Sequence, residues 1–205
     1  MTLSLLLATT SRGKADEYRD LLADLPLRLL LPADLGLDLE VEETGLTFRA
    51  NADLKARAYH QAAHGRGEIW TLAEDSGLEV AALGGEPGVY SARWGGTSDY
   101  AVKLRLLLER LRDVPTERRG CRYACAVTLV EPGGRLHRCW GEVRGRIGYE
   151  PRGSGGFGYD PLFEVPRLGR TMAELSRAEK GAISHRGRAA QRVQQTLEAA
   201  LEACL

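Results

Sequence analysis

Ile69-Trp70-Thr71-Leu72-Ala73-Glu74-Asp75-Ser76-Gly77-Leu78 is the stretch on which the fold turns. Its first five residues are an apolar run, and two adjacent carboxylates stand where the run stops. Read as a strand, the run sends successive side chains to opposite faces. Glu74 and Asp75 then cannot both belong to one solvated face. One of them points to the buried side, or into a cleft at the strand end, where a carboxylate is costly unless a cation or hydrogen-bond donors meet it. In open α/β sheets ligands bind at the carboxyl ends of strands. Asp75-Ser76-Gly77 is also ordinary turn chemistry, so this stretch alone leaves turn and site both open. The strand is expected to end at Asp75, with another short strand at residues 78–83.

Upstream, residues 3–8 read as a short buried strand, followed by the small polar loop Thr9-Thr10-Ser11-Arg12-Gly13-Lys14. Residues 14–25 carry apolar side chains at helical spacing. Strand, loop and helix in that order aim free backbone N–H groups and the positive end of a helix dipole at one spot. With three hydroxyls and the Lys14 ammonium, that spot suits phosphate; a plain capped βα turn fits the same residues. The loop lacks the P-loop spacing. A second strand is expected at residues 27–31, closed by Pro32, and an acidic irregular segment at residues 33–42. Thr47 is the expected N-cap of a helix over residues 48–64. Asn51 and Lys55 share one face of that helix, which is a solvated face unless it borders the Glu74-Asp75 strand.

Downstream, a glycine-rich loop at residues 84–96 precedes a leucine-rich helix at 99–112, whose leucines nearly encircle it and suggest burial on several sides or an interface. Strands are expected at 122–130 and 136–143, joined as a hairpin. Gly153-Ser154-Gly155-Gly156-Phe157-Gly158-Tyr159-Asp160-Pro161 holds too many glycines for a stable helix or central strand. Its two aromatics either offer flat surfaces to a ligand or tuck into the core. Ser176-Arg177-Ala178-Glu179 is a capping box for a short helix, and Ser184 can cap the final one. His185 and Arg186 fall in the first turn of that last helix, where a cation opposes the dipole. Such a pair is either held for a ligand or simply exposed.

The 205 residues suffice for one substantial core, and no internal repeat or linker divides them. Lys plus Arg and Asp plus Glu both total 28, so no global field draws in nucleic acid, and any polyanion must be met by a local positive cluster. Lysines are few: Lys14, Lys55, Lys103 and Lys180. The cysteines, Cys121, Cys125, Cys139 and Cys204, form neither a CxxC pair nor a zinc spacing, and read as buried thiols. Without a disulfide pattern or secretory signal the expected compartment is the cytoplasm, and residues 3–8 are too few to span a membrane.

Six blocks occur together in order: residues 9–14, 42–48 (Glu-Glu-Thr-Gly-Leu-Thr-Phe), 74–78, 85–93, 155–161 (Gly-Gly-Phe-Gly-Tyr-Asp-Pro) and 184–187 (Ser-His-Arg-Gly). With them the chain resembles the inosine/xanthosine triphosphate pyrophosphatases, the Ham1-like family, over nearly its whole length. The resemblance implies hydrolysis of ITP, dITP and XTP to monophosphate and pyrophosphate, with magnesium. It implies an α/β fold: an elongated mixed β-sheet flanked by helices, two lobes with a central cleft, one domain over residues 1–205, and a homodimer. By position, Thr9, Thr10, Ser11, Arg12, Gly13 and Lys14 would hold phosphates with Lys55. Glu43 and Asp75 would hold the metal, Asp75 being also the candidate base, and Ser76 would touch substrate. Phe157, Gly158, Tyr159, Asp160, Lys180, His185 and Arg186 would surround the nucleoside. The chain departs from the family at Thr9-Thr10-Ser11, where Thr-Gly-Asn is usual, at Ala50, where Glu is frequent, and at Glu74, where Asp is common. Two other readings compete. One is a non-catalytic nucleotide- or RNA-binding module, supported only by the short Arg144-Gly145-Arg146 and Arg186-Gly187-Arg188 pieces. The other is a pyrophosphatase for modified pyrimidine nucleotides.

Overall fold

The computed structural model describes residues 2–203. In chain order the elements are β1 (Leu3–Leu7), α1 (Arg12–Leu21), β2 (Leu27–Leu30), α2 (Phe48–Ala63), β3 (Ile69–Val80), α3 (Tyr100–Arg110), β4 (Gly120–Val130), β5 (Leu136–Ile147), β6 (Phe163–Val165), β7 (Arg170–Thr171), α4 (Arg177–Ile183) and α5 (His185–Glu202). The strands form a seven-stranded sheet in the order β2-β1-β3-β4-β5-β6-β7. It is mixed: β1 runs parallel to both β2 and β3, whereas β6 runs antiparallel to β5 and β7. The chain is thus an α/β protein with a mixed, helix-flanked sheet, as the family resemblance implies.

Contacts gather into two compact units. The first takes the chain up to Asp75, Cys125–Gly141 and the segment from Arg186 onward; the second takes Ser76–Ala124 and Glu142–His185. In the first unit both faces of the sheet are covered. Leu5, Leu7, Trp70 and Leu72 pack with Ala15 and Tyr18 of α1 and with Ala189, Val193 and Leu197 of α5. Leu6, Ile69 and Ala73 face the other way, against Ala56, Tyr59 and Ala63 of α2. A strand buried on both faces reads as a continuous apolar run, as Ile69–Ala73 does. In the second unit Leu78, Val80, Trp94, Leu107, Tyr123, Ile147, Tyr159 and Phe163 belong to a single core. Lys103 is fully buried there, donates to the Ala92 carbonyl at 2.7 Å, and has its pKa lowered by burial.

Of the two readings left open for Asp75-Ser76-Gly77, the turn is absent. β3 runs unbroken through these residues to Val80 and ends in a 3-10 turn, Ala81–Leu83, where a separate strand was expected. All of β3 except Ser76 and Glu79 is buried. A turn there would leave buried backbone groups without their ladder partners, and that cost outweighs the local turn preference. It is β1 that stops: its pairing ends at Leu7 with Leu72, and the last rung runs from the Ala8 N–H to the Leu72 carbonyl at 2.7 Å. Glu74 and Asp75 therefore lie just beyond the carboxyl end of β1, midway along β3.

Smaller shifts have local causes. Helix α1 begins at Arg12 because Ser11 caps it, and it ends at Leu21, ahead of Pro26. Helix α3 is capped by Asp99, and its half-buried Leu104, Leu106 and Leu108 pack against the second unit's core. Cys121, Cys125 and Cys139 are buried free thiols, as expected, while Cys204 lies outside the described residues. No helix among the described residues is long and apolar enough to cross a membrane.

Candidate active site

Glu74 and Asp75 are neighbours on a strand, so they face opposite ways, and their surroundings differ. Glu74 points to the α1/α5 side and is saturated with donors. Arg186 grips it bidentately, Nε to Oε2 at 2.8 Å and Nη2 to Oε1 at 2.7 Å. The Tyr18 hydroxyl donates at 2.9 Å, the Cys125 thiol at 3.2 Å, and the Lys14 ammonium stands 3.1 Å away. Arg186 also holds Glu17. Arg186 is 1% exposed and Glu74 2%. Burial alone would lower the pKa of Arg186 and of Lys14; Glu74 outweighs it, helped by Glu17 at Arg186 and by Asp75 at Lys14, so both cations are held above their ordinary values. Arg186 is not a freely exposed charge: its guanidinium is buried on two carboxylates of its own unit.

Asp75 points to the α2 side. Its Oδ2 accepts from Asn51 Nδ2 at 2.9 Å, and its Oδ1 lies 3.9 Å from Lys55 Nζ. Lys55 is also paired with Glu43, so one ammonium gathers two carboxylates. Asn51 and Lys55 are one turn apart on α2, which starts where it does because the Thr47 hydroxyl accepts from the Ala50 N–H at 3.1 Å. Burial raises the Asp75 pKa. Lys55, Asn51 and Lys14 pull it down, Glu43 pushes it up, and the net position is above the ordinary carboxylate value. With Glu43 on the same ammonium, Asp75 offers carboxylate oxygens of the kind that hold a divalent cation.

The loop from Thr9 to Lys14 joins the same unit. The Thr9 hydroxyl accepts from the Ser11 N–H at 3.2 Å, and Ser11 caps α1 through the Lys14 N–H at 3.5 Å. Thr10 and Arg12 are exposed, and Gly13 and Lys14 half-buried. Lys14, Glu43, Lys55 and Asp75 are therefore brought together in the first unit. Among the described residues no three His, Cys, Asp or Glu side chains close on one metal point; Glu43 and Asp75 are a pair.

The second unit assembles another group. Asp160 Oδ2 accepts from Lys180 Nζ at 2.5 Å and from the Phe157 N–H at 2.8 Å, and Lys180 Nζ sits 5.0 Å from the centre of the Phe157 ring. His185 stacks on Tyr123 at 4.7 Å, and Tyr123 stacks on Phe163 at 4.4 Å. Gly156 has φ +66°, and a Cβ there would collide with the Asp160 carboxylate. Of the two loop aromatics only Phe157 is partly exposed. Tyr159 is 2% exposed, packs edge-on to Tyr100, and donates its hydroxyl to the Ser91 carbonyl at 3.1 Å. Of the two readings of the loop aromatics, Tyr159 takes the one in which the ring tucks into the core. Ser76 is half-buried on β3.

Sequence reasoning did not identify Tyr18 and Cys125 as partners of Glu74, nor Glu17 as a partner of Arg186. Tyr18 reads only as an apolar helix position, and the other two give no signal. Asn51 was marked by its spacing to Lys55.

A family model described as the Ham1 family matches residues 5–196. The chain belongs to the Ham1 family. It is 49% identical over 201 residues to the dITP/XTP pyrophosphatase of Symbiobacterium thermophilum, covering 97% of this chain and 96% of that one. Among solved structures, the Ham1 protein of Staphylococcus aureus aligns with a TM-score of 0.83 at 37% identity, over 96% of this chain and 98% of its own. A HAM1 protein from Coxiella burnetii aligns with a TM-score of 0.83 at 38% identity, over 96% and 99%.

Proposed function

We infer that this chain hydrolyses dITP, XTP and ITP to the nucleoside monophosphate and pyrophosphate. Two carboxylates converging on Lys55 beside a second buried-side lysine, Lys14, carry the reading, and the name of the Symbiobacterium relative agrees with it. Lys14, Lys55 and the Thr9–Gly13 loop bind the triphosphate and offset charge as it develops. Asp75 orients a water against the α-phosphorus and takes its proton. The new bond joins that water oxygen to phosphorus, the bond to the bridging oxygen breaks, and its electron pair leaves with pyrophosphate. Glu43 and Asp75 suit magnesium, which takes oxygen ligands and uses one or two carboxylates plus substrate phosphates. When bound, magnesium neutralises phosphate charge and polarises the anhydride. Phe157 stacks the base, while Lys180, Asp160 and His185 read its polar edge, and a 6-oxo group is favoured over the 6-amino group of adenine. The reading carries with it a cytoplasmic homodimer with no nucleic-acid partner.

The deciding experiment is a panel of ITP, dITP, XTP, ATP, GTP and dUTP, with and without magnesium, scored for pyrophosphate. Magnesium-dependent release from the first three, at least a hundredfold faster than from ATP, is expected. Equal rates across the panel would overturn base selection, and inorganic phosphate as the product would overturn the site of cleavage.

A further inference from the structure

The two carboxylates assigned to the metal come from different places. Asp75 is fixed in the middle of a buried strand, whereas Glu43 sits on an irregular segment that precedes α2. Something must set the distance between them. Lys55 bridges them, but an ammonium between two carboxylates competes with any divalent cation for the same oxygens. A neutral group that ties the segment to Asp75 would hold the spacing without that competition.

Asn51 is such a group. Its side chain is fully buried. Its Oδ1 accepts from the Gly45 N–H at 2.7 Å, and its Nδ2 donates to Asp75 Oδ2 at 2.9 Å. One amide thus joins the backbone two residues beyond Glu43 to the carboxylate of Asp75. The acceptor end meets a donor and the donor end meets an acceptor, so only one amide orientation satisfies both partners. An aspartate would place an acceptor against Asp75, and an alanine would reach neither partner.

Gly45 is the second half of the device. A Cβ at Gly45 would lie 2.5 Å from Asn51 Oδ1 and 2.7 Å from Ala50 Cβ. The glycine is needed for close approach, since no side chain fits between its backbone and the amide. The Gly45 N–H would then have no room to reach Asn51, and the segment carrying Glu43 would be displaced from α2.

We propose that Asn51 is a positioning residue that, with Gly45, sets the spacing of Glu43 from Asp75 and so tunes divalent-cation affinity. The inference rests on the reading of Glu43 and Asp75 as the metal pair. It assigns Asn51 no contact with metal or substrate. Partners that orient metal ligands are typically worth about 10–100-fold in metal affinity, and the expected effect lies in that range.

The test is a manganese titration of the nucleotide-free protein, followed by electron paramagnetic resonance, for the wild type and Asn51→Ala, Gly45→Ala, Glu43→Gln and Asp75→Asn. The expected result is manganese binding in the wild type, its loss in the two carboxylate variants, and weakening by about tenfold or more in Asn51→Ala and Gly45→Ala. Hydrogen exchange of the Gly45 amide should be protected in the wild type and unprotected in Asn51→Ala. At saturating metal the KM for ITP should stay within about threefold of wild type, since the lysines and the loop are untouched. If Glu43→Gln and Asp75→Asn bind manganese normally, the metal reading itself fails and takes this inference with it. If they lose binding while Asn51→Ala loses less than tenfold, the positioning role is overturned and the metal reading stands. Should Asn51→Ala not fold, Gly45→Ala decides, because it keeps the amide and removes only the approach.

Discussion

Substituting the two adjacent carboxylates one at a time should give opposite outcomes. In Glu74→Gln, Arg186 and Lys14 lose the anion that balances them; Arg186 is buried in the first unit and Lys14 is half-buried beside it. Breaking a buried pair by removing one partner costs about 3–5 kcal/mol. Glu17 still faces Arg186, and glutamine keeps one acceptor for Tyr18 or Arg186, so the lower end, about 3 kcal/mol, applies. At about 2–4 °C per kcal/mol for a chain of this size, the melting temperature should fall by about 6–12 °C. In Asp75→Asn the removed charge is one whose pKa burial has already raised, and its contact with Lys55 is only 3.9 Å. The folded state holds that proton more tightly than the unfolded chain does, so removing the charge should change stability by less than about 1 kcal/mol, in either direction. Turnover should nevertheless drop by about a hundredfold or more, the size of a lost general base. Differential scanning calorimetry beside a pyrophosphate-release assay measures both. A melting temperature for Asp75→Asn that falls as far as that of Glu74→Gln would refute the division of roles between them.

Replacing Phe157 by alanine should raise KM for ITP by about 5- to 150-fold, the value of one stacked base, while leaving the melting temperature nearly unchanged, because the ring is half exposed; steady-state kinetics read the first and calorimetry the second. Glu179, in the capping box of α4, is held down to about 2 from 4.5 by the hydrogen bond from Arg170 and then by those from Ser176. A depressed folded-state pKa gives stability that is present above pH 4.5 and lost as the pH falls toward 2, so urea melts of Glu179→Gln should lose the part of the wild-type pH dependence in that window.

What the sequence makes legible and what it hides divide along physical lines. Elements governed by local periodicity and capping are readable: Thr47 before α2, Ser176 before α4, and the hairpin of β4 and β5 around residues 131–135. The course of β3 past Asp75 is not, because Asp-Ser-Gly has the same local preference whether it turns or is stretched between neighbouring strands. Only burial on both faces decides. The blocks that gather Lys14, Glu43, Lys55 and Asp75 could be picked out one by one, yet their convergence is a tertiary fact. Arg186 shows the limit most plainly. Its partner Glu74 is 112 residues away, and nothing near Arg186 in sequence says that its charge is buried.

The placement of two carboxylates on consecutive strand residues has a consequence that helical neighbours would not give. On a helix, adjacent residues are about 100° apart around the axis and partly share surroundings. On β3 they are on opposite sides of the sheet, so Glu74 meets Arg186, Tyr18 and Cys125 while Asp75, one residue on, meets Asn51 and Lys55 and has its pKa raised by burial. Lys14 couples the two sides: it is 3.1 Å from Glu74 and also feels the charge of Asp75. Glu74 thus holds the ammonium from one side of the strand, while Asp75 keeps Asn51 and Lys55 on the other. The contacts gathered on Glu74 also hold in place the strand that carries Asp75.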